Sequence, residues 1–185
     1  DAMKGVLWFG VDDANTCVYV PIYCCVTKVP HCYAHGNGDM LTLSWDAAFW
    51  VHNYVANQAY NRYSQMIPDI RRVQNGLEDS IASAVKVVEA EVMTLPDVRQ
   101  REELSNFSDF WANHSTKEFK KLGDYLLVKY IDGNIKRETE PGVFKRTPEG
   151  MCASPEYGGY SEDYYRAVAK DAGERLKVTD IKGSK

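Results

Sequence analysis

Apolar residues along this chain change their period near residue 44. Before it they come in unbroken runs: Val6-Leu7-Trp8-Phe9-Gly10-Val11, then residues 17–26, which are rich in β-branched and aromatic side chains. Runs with so little alternation predict strands buried on both faces. Asp12-Asp13-Ala14-Asn15 between them is turn chemistry, so residues 5–27 predict an antiparallel β-hairpin. Pro21 removes a backbone donor, which places its strand at an edge, puts a bulge in it or ends it early. A lone hairpin cannot cover both of its own faces. These strands want neighbours that the rest of the chain hardly provides.

From Ser44 the period becomes helical. A loop over 28–42, punctuated by Pro30 and Gly36-Asn37-Gly38-Asp39, leads to Ser44 as an N-cap with Trp45 and Asp46 opening the helix. Trp45, Phe49, His52, Ala56, Ala59 or Tyr60, and Tyr63 form its apolar stripe, and Pro68 should end or kink it. A second helix is expected from Asp69 to near Met93, weakened by about 1 kcal/mol at Gly76. A third holds Leu104, Phe107, Phe110, Trp111 and His114. Ser115-Thr116-Lys117-Glu118 has the form of a capping box, which predicts a fourth helix carrying Phe119, Leu122, Tyr125, Leu126, Lys129 and Tyr130 to a stop at Gly133. Residues 134–160 read as an arm, 162–176 as a short helix, and the remainder as a polar tail. The chain thus reads as one α+β domain: hairpin 5–27, helical region 44–133, and arm, short helix and tail 134–185.

Composition narrows the function classes. Twelve Tyr, six Phe and four Trp are more than a disordered segment carries, and a net charge of -4 gives no footprint for nucleic acid. No apolar run approaches the roughly 18 residues of a membrane span, so neither nucleic acid nor membrane is expected as a partner. The five cysteines are odd in number and form no CxxC pair. They read as small buried side chains rather than a disulfide frame.

Candidate chemistry is sparse. His31 and His35, with Cys24, Cys25 and Cys32 nearby, lack the spacing of a closed zinc site, so no metal is expected. Gly36-Asn37-Gly38-Asp39 is a turn without the phosphate-binding fingerprint, and no cofactor is expected. Cys152 could in principle pair with any of the four histidines, but the sequence brings none to it. Glu89 and Glu91 face different ways on a helix and make no acid–base pair. Asp12 and Asp13, followed by Asn15, are the most interesting polar group, with a plain hairpin turn as the simpler reading.

Longer stretches carry a resemblance. Trp8-Phe9-Gly10-Val11-Asp12-Asp13-Ala14, Val18-Tyr19-Val20-Pro21-Ile22-Tyr23-Cys24, Ser44-Trp45-Asp46-Ala47-Ala48-Phe49-Trp50, Tyr63-Ser64-Gln65-Met66-Ile67-Pro68-Asp69-Ile70 and residues 121–130 resemble bacterial dipeptidases of the dipeptidase A type. The likeness covers most of residues 5–133. It implies a four-layer αββα sandwich and a cysteine nucleophile at the first position of the mature chain, where the free α-amine can serve as its base. Here residue 1 is Asp and all five cysteines are internal. The resemblance therefore implies no catalytic residue in this chain, a nucleophile several hundred residues upstream, and no activity for this section alone. Asp1-Ala2-Met3 is expected to be a cloning remnant. Asp12, Asp13 and Asn15 are expected to line the substrate cleft.

The implied partners are a dipeptide substrate and the N-terminal catalytic portion of the same protein, with self-association where the hairpin stays open. The alternative is an autonomous helical binding module without catalysis.

Overall fold

In a computed structural model that describes residues 5–176, the two apolar runs pair as an antiparallel ribbon, β1 (Val6–Phe9) against β2 (Val20–Tyr23). The readings of Asp1-Ala2-Met3 and of the polar tail lie outside the described residues. Cys24 donates its N–H to the Gly5 carbonyl at 2.8 Å, and Val6 stands opposite Tyr23. Antiparallel alternation then makes Gly5 with Cys24, Leu7 with Ile22 and Phe9 with Val20 the hydrogen-bonded pairs. Pro21, opposite Trp8, falls between them with its nitrogen turned away from β1. Its missing donor costs the ladder nothing. Of the alternatives the sequence left for Pro21, an edge position holds, and β2 runs through it.

Three long helices follow: α1 (Ala48–Asn61), α2 (Tyr63–Val92) and α3 (Asp97–Tyr130). Their boundaries correct the sequence reading in three places. Ser44 does not cap α1; its hydroxyl bonds the Asn37 side-chain oxygen at 2.7 Å and braces the loop. The break between α1 and α2 comes at Arg62 (φ -150, ψ 53), and Pro68 lies inside α2. Only the bond from position 68 back to Ser64 is lost there, and Ser64 is exposed, so water can serve its carbonyl. Burial of Met66 and Ile70 on either side of the proline offsets the loss.

The third correction concerns the capping box at 115–118, which starts no helix. Buried positions 104, 108, 112, 115, 119, 122 and 126 step by four and three without interruption through it. Thr116 donates its hydroxyl back to the Ala112 carbonyl at 2.9 Å. A continuous stripe outweighs a local start signal.

A short link over residues 93–96 folds α3 back along α2. Asp69 near the start of α2 meets Lys129 near the end of α3 at 2.8 Å, and the Tyr125 hydroxyl at 3.1 Å. Beta-strand β2 lies on this helical pair. Tyr23 is fully buried with Val92 and Leu104, and its hydroxyl donates to Glu89 at 2.8 Å. Its outward N–H reaches the Ser108 hydroxyl at 3.3 Å, and the Thr27 N–H reaches Ser105 at 3.2 Å. Helix α1 packs on α3, with His52 stacked on Phe119 at 4.4 Å and the Tyr54 ring set close against Gly123, where a larger residue would clash. Strand β1 is not covered: Leu7 is 56% and Trp8 47% exposed. Burial of both strands on both faces is thus corrected to burial of β2 alone.

One compact unit ends at Lys129 and a second begins at Tyr130. In the second, β3 (Asn134–Ile135), β4 (Glu138–Glu140), β5 (Val143–Phe144) and β6 (Glu156–Tyr157) pair as β3 with β6 and β4 with β5. Helix α4 (Glu162–Ala172) follows, its first turn capped by Ser161, whose hydroxyl accepts the Tyr164 N–H at 3.2 Å. Gly173, at φ 55, ends α4 before a tighter last turn. The architecture is α+β, with an N-terminal hairpin and a mainly helical region after it, as the change of apolar period predicts.

Candidate functional site

The turn that joins β1 to β2 is where polar chemistry gathers. Asp13 organises it: its carboxylate accepts the Asn15 N–H and the Thr16 hydroxyl, both at 3.1 Å, and its carbonyl accepts the Cys17 N–H at 2.9 Å. Such local bonding is why Asp favours turns. The Tyr60 hydroxyl on α1 also bonds Asp13, and that carboxylate pushes the phenol above its ordinary range.

Asn15 is tied instead to α2. Its amide nitrogen donates to the Tyr63 hydroxyl at 2.6 Å, and its amide oxygen accepts from Arg71. Arg71 donates a second bond to Gln74 at 2.6 Å, and Gln74 donates to the Cys17 carbonyl at 2.6 Å. One residue further along the same stripe, Glu78 accepts the Tyr19 N–H at 3.3 Å. Arg71, Gln74 and Glu78 therefore fasten the start of β2 to α2.

Asp12 stands apart. It is exposed, takes a left-handed φ of 69, and its carboxylate has no hydrogen-bond partner among the described residues. A non-glycine residue held there carries backbone strain, which is tolerated where the surroundings fix the chain. Of the three residues singled out from sequence, Asp13 and Asn15 join one network and hold the turn, while Asp12 alone presents a free carboxylate to an approaching ligand.

Next to Asp12, Phe9 and Val11 line a cavity of about 430 Å³ against Tyr33, Phe49 and Trp50. His35, Asn37 and Asp39 are among its polar members. Asp39 is held below the usual carboxylate range by the Leu41 N–H and the Thr42 side chain. His31 lines a different cleft, with Asp46, Asp109 and His114. Among the described residues no group of three or more His, Cys, Asp or Glu is placed to hold a metal ion.

The thiols are poorly set for nucleophilic work. Burial pushes Cys17 and Cys25 up, and Cys32 up to about 11. A thiol held in its neutral form is a weak nucleophile. Cys24 and Cys152 are exposed, against the expectation that all five would be buried. No hydrogen bond joins a thiol to a histidine among the described residues.

Arg71 and Gln74 were not singled out in the sequence, and Tyr60 and Tyr63 entered only as members of an apolar stripe, whereas both are exposed. Arg71, Gln74 and Glu78 do leave a signal, a polar row at i, i+3 and i+7 on a helix whose other face is apolar. Gln74 is buried within that row, which means it has a partner to satisfy.

Residues 1–76 match the model of peptidase family C69. The chain matches no curated protein. The matched stretch runs from the hairpin through α1 to Gly76 in α2, and so contains the turn, Tyr60, Tyr63, Arg71 and Gln74. Over residues 1–76, which hold the hairpin, its turn, α1 and the first half of α2, the chain is related to the peptidases of family C69.

Proposed function

We propose that this chain is the C-terminal section of a cysteine dipeptidase, with the thiol nucleophile supplied by sequence outside these 185 residues. The observation that carries the reading is β1. It is apolar, belongs to a two-stranded ribbon, and leaves Leu7 and Trp8 exposed along an edge with no further strand among the described residues. An unpaired apolar edge is a template for another strand. In this reading the N-terminal catalytic portion of the same protein pairs with β1 and extends the ribbon into a sandwich. Asp12, at the end of that strand, then lines the cleft.

The thiols support the same reading. Three of the five are shifted toward the neutral form by burial, and none is bonded to a histidine. The peptidase relationship of residues 1–76 supplies the reaction class.

Co-expression with the N-terminal portion of a family C69 peptidase, carrying its processed cysteine, tests the proposal. Dipeptide hydrolysis is expected from the pair and not from either part, and Trp8→Pro on the edge should abolish it. Turnover by this chain alone that disappears with Cys24→Ala or Cys152→Ala would overturn the proposal.

A further inference from the structure

We propose that the groove along the exposed face of α1 binds an extended peptide segment through its backbone. The groove encloses about 480 Å³, and no charged side chain among the described residues lines it. One end is an aromatic shelf of Trp45, Phe49, Trp50 and Tyr54. The shelf is already fixed: Trp45 and Tyr54 meet edge-on at 5.1 Å, and the Lys120 ammonium lies 4.7 Å from the Trp45 ring centre. Trp50 donates its indole N–H to the Asp39 carbonyl at 3.0 Å.

The other end is a row of asparagines. Asn53, Asn57 and Asn61 follow one another at four-residue spacing, with Asn57 and Asn61 exposed. Asn is a poor helix former, and an exposed helix face is ordinarily filled with Ala, Glu, Lys or Gln. Packing gives nothing back for this choice. Each side-chain nitrogen donates only within α1, to the carbonyl one turn earlier: Phe49 at 2.9 Å, Asn53 at 2.8 Å and Asn57 at 3.0 Å. Bonds of that kind do not strengthen a helix, but they do hold the three carboxamides in one orientation.

Those bonds leave the oxygens available. The side-chain oxygens of Asn57 and Asn61 have no partner among the described residues, and that of Asn53 meets only the Asn57 amide at 3.5 Å. A carboxamide offers both an acceptor and a donor, which is what a peptide group needs in return. The spacing also fits. Successive asparagines rise by about 6 Å along a helix, and alternate residues of an extended chain repeat about every 6.6 Å. Over the row the mismatch stays near 1 Å, within reach of side-chain adjustment. Alternate peptide groups of a bound segment would meet successive carboxamides, with an apolar side chain on the aromatic shelf. The choice of peptide as the polymer rests on the peptidase relationship; binding itself needs no catalytic portion.

The test is a titration of the full chain with a capped, uncharged hexapeptide alternating phenylalanine and serine, followed by tryptophan fluorescence. A saturable change is expected. Methylating alternate peptide nitrogens should weaken binding at least tenfold, as should Asn53→Ala combined with Asn57→Ala. The thermal midpoint of that double variant should hold or rise, because Ala is the better helix former. A fall in the midpoint alongside lost binding would make the row structural and overturn the proposal. Equal binding of the methylated peptide, saturation by a neutral oligosaccharide but not by the peptide, or no saturable signal would also overturn it. No readout involves hydrolysis, so failure here and failure of the dipeptidase reading are separate results.

Discussion

The two strands of the hairpin have nearly the same chemistry and opposite fates. Val20, Pro21 and Tyr23 of β2 are buried beneath α2 and α3, while Leu7, Trp8 and Phe9 of β1 remain exposed. Composition does not separate them; what lies behind each strand does. The helical pair offers β2 a broad surface, down to the Ser108 hydroxyl for the outward N–H of Tyr23. Of β1 it reaches only Val6, half-buried against Tyr23, Val92 and Leu104. A whole apolar strand left uncovered by the described residues is the feature on which the proposed pairing rests, whereas a scatter of single exposed apolar residues is ordinary.

The largest expected effect sharpens that contrast directly. Tyr23→Ala should cost about 3–5 kcal/mol, because it empties a filled site and strands the Glu89 contact. Trp8→Ala on the opposite strand should cost less than about 1 kcal/mol in this chain, since half of that ring is already in water. Urea unfolding of both variants checks it. Equal losses would mean that β1 is covered after all.

The sealed side should also show a pH dependence that β1 cannot. His52 on α1 is buried against Phe119, and burial lowers its pKa from the ordinary 6.5 to about 4. Above pH 6.5 the imidazole is neutral in both folded and unfolded chains, and its contribution is fully present. Between pH 6.5 and 4 the unfolded chain takes up a proton that the folded chain refuses, so stability falls as pH falls. The loss by pH 4 is on the order of 3 kcal/mol. In His52→Leu that segment of the stability curve should flatten, while Trp8→Ala should leave its slope unchanged.

A smaller effect tests how β2 is sealed. Tyr23 and Pro21 share the outward edge of β2, and the two positions are satisfied in different ways. Tyr23 donates to Ser108, whereas Pro21 has no donor to satisfy. Ser108→Ala should strand one buried N–H, and Pro21→Ala should create another. Each should cost about 1–3 kcal/mol by thermal unfolding.

Much of this was legible in the sequence. The change from continuous apolar runs to helical spacing predicts the hairpin and the helical region; the expected lack of cover holds for β1 but not for β2, which the helices bury. Helix boundaries were less legible. The 115–118 capping box and Pro68 are genuine local signals, but the buried stripe of α3 and the burial around Pro68 outweigh them. The break at Arg62 carries no Gly or Pro to announce it. Asp12, Asp13 and Asn15 could be found from turn chemistry alone. Their holders could not, because Tyr63 and Arg71 reach Asn15 from 48 and 56 residues away, a placement that exists only once α2 has docked.

The smallest expected effect concerns the open strand itself. With the helices on β2, the backbone groups of Val6 and Trp8 that turn away from β2 have no strand to pair with among the described residues. In the isolated chain the available complement at high concentration is a second copy of β1. Two such edges can pair antiparallel and bring Leu7 and Trp8 of both copies together. Four residues of pairing make a short ladder, far below the roughly 1,200 Å² of a stable interface, so the dimer should be weak. Light scattering across a concentration series should show it, and Trp8→Lys should weaken association on the order of tenfold by placing like charges across the seam. Val18→Lys tests the opposite side: Val18 is buried, so that variant should unfold the chain without selectively dissociating it. A parent chain that stays monomeric throughout would remove β1 as a pairing edge and favour the autonomous binding module.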